Sequence, residues 1–220
     1  MKIKLKNILP TIALCTLGLF ASPAYSASKT VLVLGDSLSA EYGLARGSGW
    51  VALLQKRVEP EQISTPNRHT KSIDAKIINA SISGETTSGG RTRLPALLKE
   101  HQPSIVIIEL GANDGLRGLS LHAAEENLRA IVSASQEIGA TVLLLGMEIP
   151  PNYGTEYTQE FASNYSKIAK SSKSVLVPFF LKDIAYKPSF FQPDRLHPTA
   201  EAQPIILNTI WPYLKPLLAK

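Results

Sequence analysis

Ser37 is the first residue in the chain whose setting suggests chemistry. It lies in the stretch "VLVLGDSLSA" (31–40), where four apolar residues run straight into Gly35-Asp36-Ser37. A serine hydroxyl is a poor nucleophile until a base takes its proton. A bare Gly-Asp-Ser is more often a turn or helix-capping serine, so a base has to be found. The chain has four histidines. His69 lies in a polar stretch, His101 ends a helical pattern in "KEHQP" and His122 stands early in an amphipathic run, so each reads as a surface residue. His197 differs. It stands three residues after Asp194 and directly before Pro198 in "DRLHP". An Asp and a His on one tight turn can hydrogen-bond, which fixes one ring nitrogen as donor and frees the other to accept a proton. Pro198 restricts the backbone of His197 and helps to aim it. Taken without Ser37, Asp-x-x-His is an ordinary helix-initiating turn.

A serine nucleophile that attacks an acyl carbon also needs donors where negative charge develops, each worth about 3–4 kcal/mol of barrier in a water-excluded site. Three candidates are the backbone N–H of Ser37, the backbone N–H of Gly84 in "SISGET" and the side-chain amide of Asn113 in "GAND". Gly84 and Asn113 are each unremarkable turn residues on their own. A metal site would need further ligands near His197, and the sequence supplies no second histidine there. No metal is therefore expected.

These residues need elements to position them. Apolar runs of strand length recur at 30–35, 75–81, 104–110, 141–147 and 175–181, rich in Val, Ile and Leu and without strict alternation. Strands buried on both faces read this way. Amphipathic stretches lie between and after them, at 48–57, 91–101, 120–138, 155–170 and about 200–218. The alternation predicts an α/β fold, a flavodoxin-like three-layer α/β/α sandwich on a five-stranded parallel sheet. Ligand sites in such sheets lie beyond the carboxyl ends of the strands. "GDSLS", "NASISGETTSGG" and "GANDG" all fall at such ends. Pro204, Pro212 and Pro216 predict that the last helix is kinked or split. The polar segment 59–74 reads as a long surface loop.

The first 26 residues have a different character. Lys2, Lys4 and Lys6 precede the apolar run "ILPTIALCTLGLF" and the small-residue stretch "ASPAYSA". This is the pattern of a secretory signal peptide, with cleavage expected after Ser26. An uncleaved anchor is the alternative, and the short run interrupted by Pro10 argues against it. A lipoprotein is rejected because bulky Leu14 precedes Cys15, the sole cysteine. The mature chain, 27–220, is read as one domain without cysteine, in the periplasm or secreted. Three of the 23 basic residues leave with the signal and no acid does, so 20 basic residues face 18 acidic ones. That net of +2 gives no footprint for nucleic acid. Neither a nucleic-acid partner nor stable membrane insertion is expected.

The blocks "GDSLS", "NASISGET", "GANDG" and "DRLH" occur in that order, and in this respect the chain resembles the SGNH (also called GDSL) hydrolase family over essentially the whole mature region. Further stretches ("RLPALLKEHQPSIVIIELGANDGLRG", "PPNYG" and "PFF") make it most similar to periplasmic bacterial members with thioesterase, arylesterase and lysophospholipase activity. The resemblance implies a triad of Ser37, Asp194 and His197 and an oxyanion hole of Ser37, Gly84 and Asn113. It also implies no metal, no organic cofactor and a shallow site for several acyl substrates. Segment 59–74 is longer than such a relative would lead one to expect. Leu38, Leu116, Leu119, Ile149, Phe190 and Phe191 beside the blocks suggest a medium or long acyl chain, on oxygen or sulfur, with "LRGLSLH" (116–122) as a mobile rim. The expected substrates are small acyl esters or thioesters, lysophospholipid among them, acted on by a monomer. Arg91 and Arg93 are weighed as contacts for a phosphate head group against an ordinary solvated face. Two rivals stand beside this reading. A carbohydrate O-deacetylase with the same triad would want an open polar or aromatic cleft, and neither Trp50 nor Trp211 lies in a block. A non-catalytic binding module would tolerate loss of at least one of the five site residues, and all five are present.

Overall fold

The computed structural model describes residues 29–59 and 75–219. The expected signal peptide and all but the first residue of segment 59–74 therefore lie outside the described residues. Five strands form one sheet: β1 (Lys29–Gly35), β2 (Ala75–Asn79), β3 (Ile105–Glu109), β4 (Thr141–Leu145) and β5 (Val175–Val177). Every pairing is parallel and the order is β2-β1-β3-β4-β5. This is the flavodoxin-like order, whose direction of winding reverses between β1 and β3. The α/β expectation holds. Val31 to Leu34 of β1 and Val106 to Ile108 of β3 are wholly buried, and each such side chain contributes about 1.5–3 kcal/mol on leaving water. β5 is shorter than the apolar run from 175 to 181 suggests. Pro178 has no N–H to continue the ladder, and its carbonyl crowds Gly146, where a Cβ would lie 2.2 Å from Pro178 O.

Six helices complete the layers: α1 (Trp50–Val58), α2 (Thr87–His101), α3 (Ala112–Leu116), α4 (Leu121–Glu137), α5 (Thr155–Ser172) and α6 (Gln203–Ala219). α4 follows its period, burying Leu121, Ala124, Leu128, Ile131 and Val132, and Ser120 caps it by accepting from Ala123 N at 3.2 Å. α2 begins at Thr87, four residues before the expected start. Its first turn includes Gly89 and Gly90, which lower helix propensity. A Cβ on Gly90 would meet Leu110 Cδ1 at 2.4 Å, so the glycine lets the helix pack closely on the end of β3. The short helix α3 has no periodic signature and was not expected.

The last helix is not split. It runs unbroken from Gln203 to Ala219 with Pro212 and Pro216 inside it. Pro204 lies in the first turn, where its missing N–H would have had no helical acceptor. Ile206, Leu207, Ile210, Leu214, Leu217 and Leu218 are buried along its length, and this packing offsets the two backbone bonds that the internal prolines remove.

Candidate active site

The expected site residues gather where the sheet order reverses. Ser37 follows the end of β1, Asn113 lies in the first turn of α3 after β3, and Gly84 lies between β2 and α2. The loop before α6 brings in Asp194 and His197. His197 Nε2 stands 2.8 Å from Ser37 Oγ, and His197 Nδ1 stands 2.7 Å from Asp194 Oδ2. The second oxygen of Asp194 accepts the backbone N–H groups of Leu196 at 2.9 Å and His197 at 3.0 Å. Arg195 adopts a left-handed φ of 59° inside this turn. Partial desolvation works to raise the Asp194 carboxyl, but the His197 and Leu196 amides and the imidazole outweigh it and hold the pKa at about 2. An ionised Asp194 only accepts. The Nδ1 proton therefore points at Asp194, and Nε2 is left to accept from the Ser37 hydroxyl.

Gln192 holds this loop against the one that follows Ser37. Its N–H donates to His197 O at 2.7 Å. Its side-chain Nε2 donates to Tyr42 O at 2.9 Å and Pro198 O at 3.2 Å. The Gln192 amide fills the space beside Gly43, where a Cβ would meet Oε1 at 2.2 Å and where φ is +70°.

The oxyanion candidates are not equivalent. The N–H groups of Ser37 and Gly84 have no acceptor among the described residues. Both hydrogens of Asn113 Nδ2 are engaged, one to Asp36 Oδ2 and one to Glu85 O, each at 3.0 Å. Arg117 Nη2 donates to Asn113 Oδ1 at 3.2 Å and to Gly84 O at 3.1 Å, which fixes the sense of the amide. Asp114 anchors the start of α2 by accepting from Thr87 N at 2.9 Å and Thr87 Oγ1 at 2.6 Å.

A cavity of about 440 Å³ opens beside Ser37, His197 and Asn113. Apolar groups dominate its lining, Ile149, Pro150, Phe179, Leu181, Ala185 and Phe191 among them. Leu38 and Leu116 line it as expected, whereas Leu119 and Phe190 do not. Arg91 and Arg93 lie elsewhere. Arg93 binds Glu85 at 2.6 Å and Ala80 O at 3.0 Å, and Arg91 reaches Asn127 at 3.1 Å. His101 and His122 stand beside Glu100 and Glu126, each at 3.8 Å, and neither enters the site. His69 lies outside the described residues. Among the described residues no cluster of three or more His, Cys, Asp or Glu side chains could hold a metal ion.

Sequence reasoning passed over Asp36, Glu109, Asp114, Tyr42 and Gln192. A signal existed for Glu109, the only charge in the otherwise apolar "IVIIE" of β3. Asp36 stood inside a block already singled out. Tyr42 and Gln192 carried no signal, because their role depends on two loops meeting.

Comparison with known proteins agrees with this geometry. The model of the GDSL-like Lipase/Acylhydrolase family matches residues 33–204. Esterase TesA of Pseudomonas aeruginosa is 47% identical over 193 residues, 88% of this chain and 91% of that protein. Thioesterase 1/protease 1/lysophospholipase L1 of Escherichia coli K12 is 40% identical over 193 residues, 88% of this chain and 86% of that protein. The crystal structure of the psychrotrophic esterase EstA from Pseudoalteromonas sp., inhibited by monoethylphosphonate, superposes with a TM-score of 0.78 at 44% identity and covers 88% of this chain and 100% of that one.

Proposed function

The chain belongs to the GDSL-like lipase/acylhydrolase family, and on that premise we propose that it hydrolyses acyl esters and thioesters through an acyl-enzyme on Ser37. The observation that carries the reading is the continuous chain Asp194–His197–Ser37, with links of 2.7 and 2.8 Å. Ser37 Oγ attacks the acyl carbonyl carbon while His197 Nε2 takes its proton. The Ser37 and Gly84 amides face the developing oxyanion. Asn113 joins them by turning one amide hydrogen away from its present acceptor, either Asp36 or the Glu85 carbonyl. Collapse of the tetrahedral adduct expels the alkoxide or thiolate, which takes the proton held on His197. Water, giving its proton to the same nitrogen, then attacks the ester carbonyl and releases the acid and free Ser37. Asp194 stays ionised throughout and stabilises the imidazolium.

The apolar wall of the cavity supports a medium or long acyl chain over acetate, and so favours an esterase, thioesterase or lysophospholipase over a carbohydrate O-deacetylase. The chain acts as a monomer, independent of nucleic acid, metal and cofactor. The basic and apolar leader ending at Ser26 supports export to the periplasm or beyond. No helix among the described residues is long and apolar enough to cross a membrane. Turnover of an aryl ester by purified residues 27–220, beside the Ser37→Ala variant, tests the assignment. Activity that falls by about 10³-fold or more in the variant is the expected result. An active Ser37→Ala protein overturns the role of Ser37. An inactive wild type with every acyl ester and thioester tried returns the chain to a binding module.

A further inference from the structure

Directly beneath the nucleophile lie two carboxyl groups that the proposed mechanism does not use. Asp36 and Glu109 are both wholly buried, and they lie against one another at the ends of the paired strands β1 and β3. Asp36 is well supplied with donors. Its Oδ1 accepts Leu38 N at 3.0 Å and its Oδ2 accepts Asn113 Nδ2 at 3.0 Å.

Glu109 is not supplied in the same way, and its two oxygens differ. The indole N–H of Trp50 lies 3.1 Å from Ser39 Oγ. An indole nitrogen only donates, so Ser39 Oγ accepts there and turns its own hydrogen to Glu109 Oε2, 2.7 Å away. The Asp36 N–H adds a second bond to Oε2 at 3.2 Å. The other oxygen, Oε1, is buried and receives no donor at all. An ionised Glu109 would leave a charge-bearing oxygen unsatisfied in the core beside a second carboxylate, an arrangement that costs far more than a lone missing bond. A proton on Oε1 removes the problem, because the orphan acceptor becomes a donor and the neighbouring Asp36 carboxylate lies within hydrogen-bonding reach of Glu109.

We propose that Glu109 is held as the neutral acid and that its Oε1–H donates to Asp36, which fixes the carboxylate that carries Asn113 and the Leu38 amide. Glu109 is then a positioning residue. It sets Asp36, and Asp36 in turn sets the peptide after Ser37 and the Asn113 side chain. The catalytic consequence rests on the oxyanion role proposed for Asn113, whereas the protonation state does not. Burial first, and the Asp36 charge second, push the Glu109 carboxyl well above the ordinary carboxylate range. Burial also raises Asp36, to about 6, where the Leu38 amide, Asn113, Glu109 and His197 keep it from rising further. The other titratable groups around the pair are Tyr165 of α5, Asp114 of α3 and His197 of the loop before α6.

Glu109→Gln is the deciding variant, because glutamine has the shape and donor pattern of the neutral acid. The infrared band of a buried protonated carboxyl is expected in the wild type and absent from Glu109→Gln. Folded-state stability gives a second readout. A raised carboxyl pKa gives stability that is lost as pH climbs from the unfolded value toward the folded one, so from about pH 4.5 upward the wild type should lose melting temperature relative to Glu109→Gln. Activity gives a third. Glu109→Gln should keep kcat within about threefold, and Glu109→Leu, which cannot donate, should lower kcat more than tenfold with KM little changed. The proposal is overturned by a wild type without the protonated-carboxyl band, or by a Glu109→Gln protein whose stability tracks the wild type up to pH 9. If the band and the stability shift are found while Ser37→Ala remains active, the neutral acid stands and the reading of the active site fails instead.

Discussion

The ring of Tyr42 packs on the imidazole of His197, with centroids 4.3 Å apart and planes inclined by 37°. Tyr42 is half exposed, so burial of its own surface does not explain its position. Its contact limits the tilt of the imidazole, while the Gln192 side chain donates to the Tyr42 carbonyl. The geometry requires the ring and not the hydroxyl, because the imidazole needs a flat partner that limits its tilt.

Tyr42→Phe should therefore keep kcat/KM for an aryl ester within about threefold. Tyr42→Ala should lower kcat by about 10- to 100-fold with a small change in KM, the cost expected when a base is misplaced by a fraction of an ångström or more. Steady-state kinetics on the two variants decide the matter. Equal losses in both would assign the effect to the hydroxyl.

Asp194 gives a prediction in pH. Its carboxyl is held at about 2, below the ordinary value of 3.8. A depressed acid supplies stability that is present above the unfolded value and lost as pH falls through the folded one. The melting-temperature difference between wild type and Asp194→Asn should be constant above about pH 5 and should shrink toward zero near pH 2. The same substitution removes the acceptor that fixes the His197 tautomer, so kcat should fall by about 10³- to 10⁴-fold at neutral pH. A kcat that recovers in the variant at alkaline pH would indicate another route to the active tautomer.

Much of this site could be read from the chain because its reactive groups sit in contiguous blocks at strand ends. Ser37, Gly84, Asn113, Asp194 and His197 are each ordinary turn residues alone, and they became legible through the order of their blocks along one chain. The five strands were legible because buried parallel strands are apolar without interruption. What escaped was of two kinds. α3 is too short for a period to show, and the start of α2 hid behind two glycines, Gly89 close against Glu85 and Gly90 close against Leu110. The supporting residues Tyr42, Gln192 and Asp36 act across 73 to 150 positions of sequence, through contacts that no spacing rule encodes. The prolines of α6 do not split it, because tertiary burial of one helix face overrides a local penalty.

The cavity wall yields the prediction about substrate. Phe179, Leu181 and Ala185 follow β5, and with Ile149 and Pro150 after β4 they supply apolar lining to the cavity that Ser37 also lines. Each methylene moved from water into such a cavity gains about 0.8 kcal/mol, or roughly fourfold in kcat/KM. Aryl esters of increasing acyl length should therefore rise by about that factor per carbon and then level off once the cavity is filled. Ala185 lines the cavity with a single methyl and is only half-buried, so a larger side chain there can enter the open space without displacing the core. Ala185→Trp should leave acetyl ester turnover within about twofold and flatten the series beyond butyrate. A series that is flat in the wild type would argue for a deacetylase. A series that rises equally in wild type and Ala185→Trp would put the acyl chain along a different wall, with Leu116 and Leu196 the next side chains to enlarge.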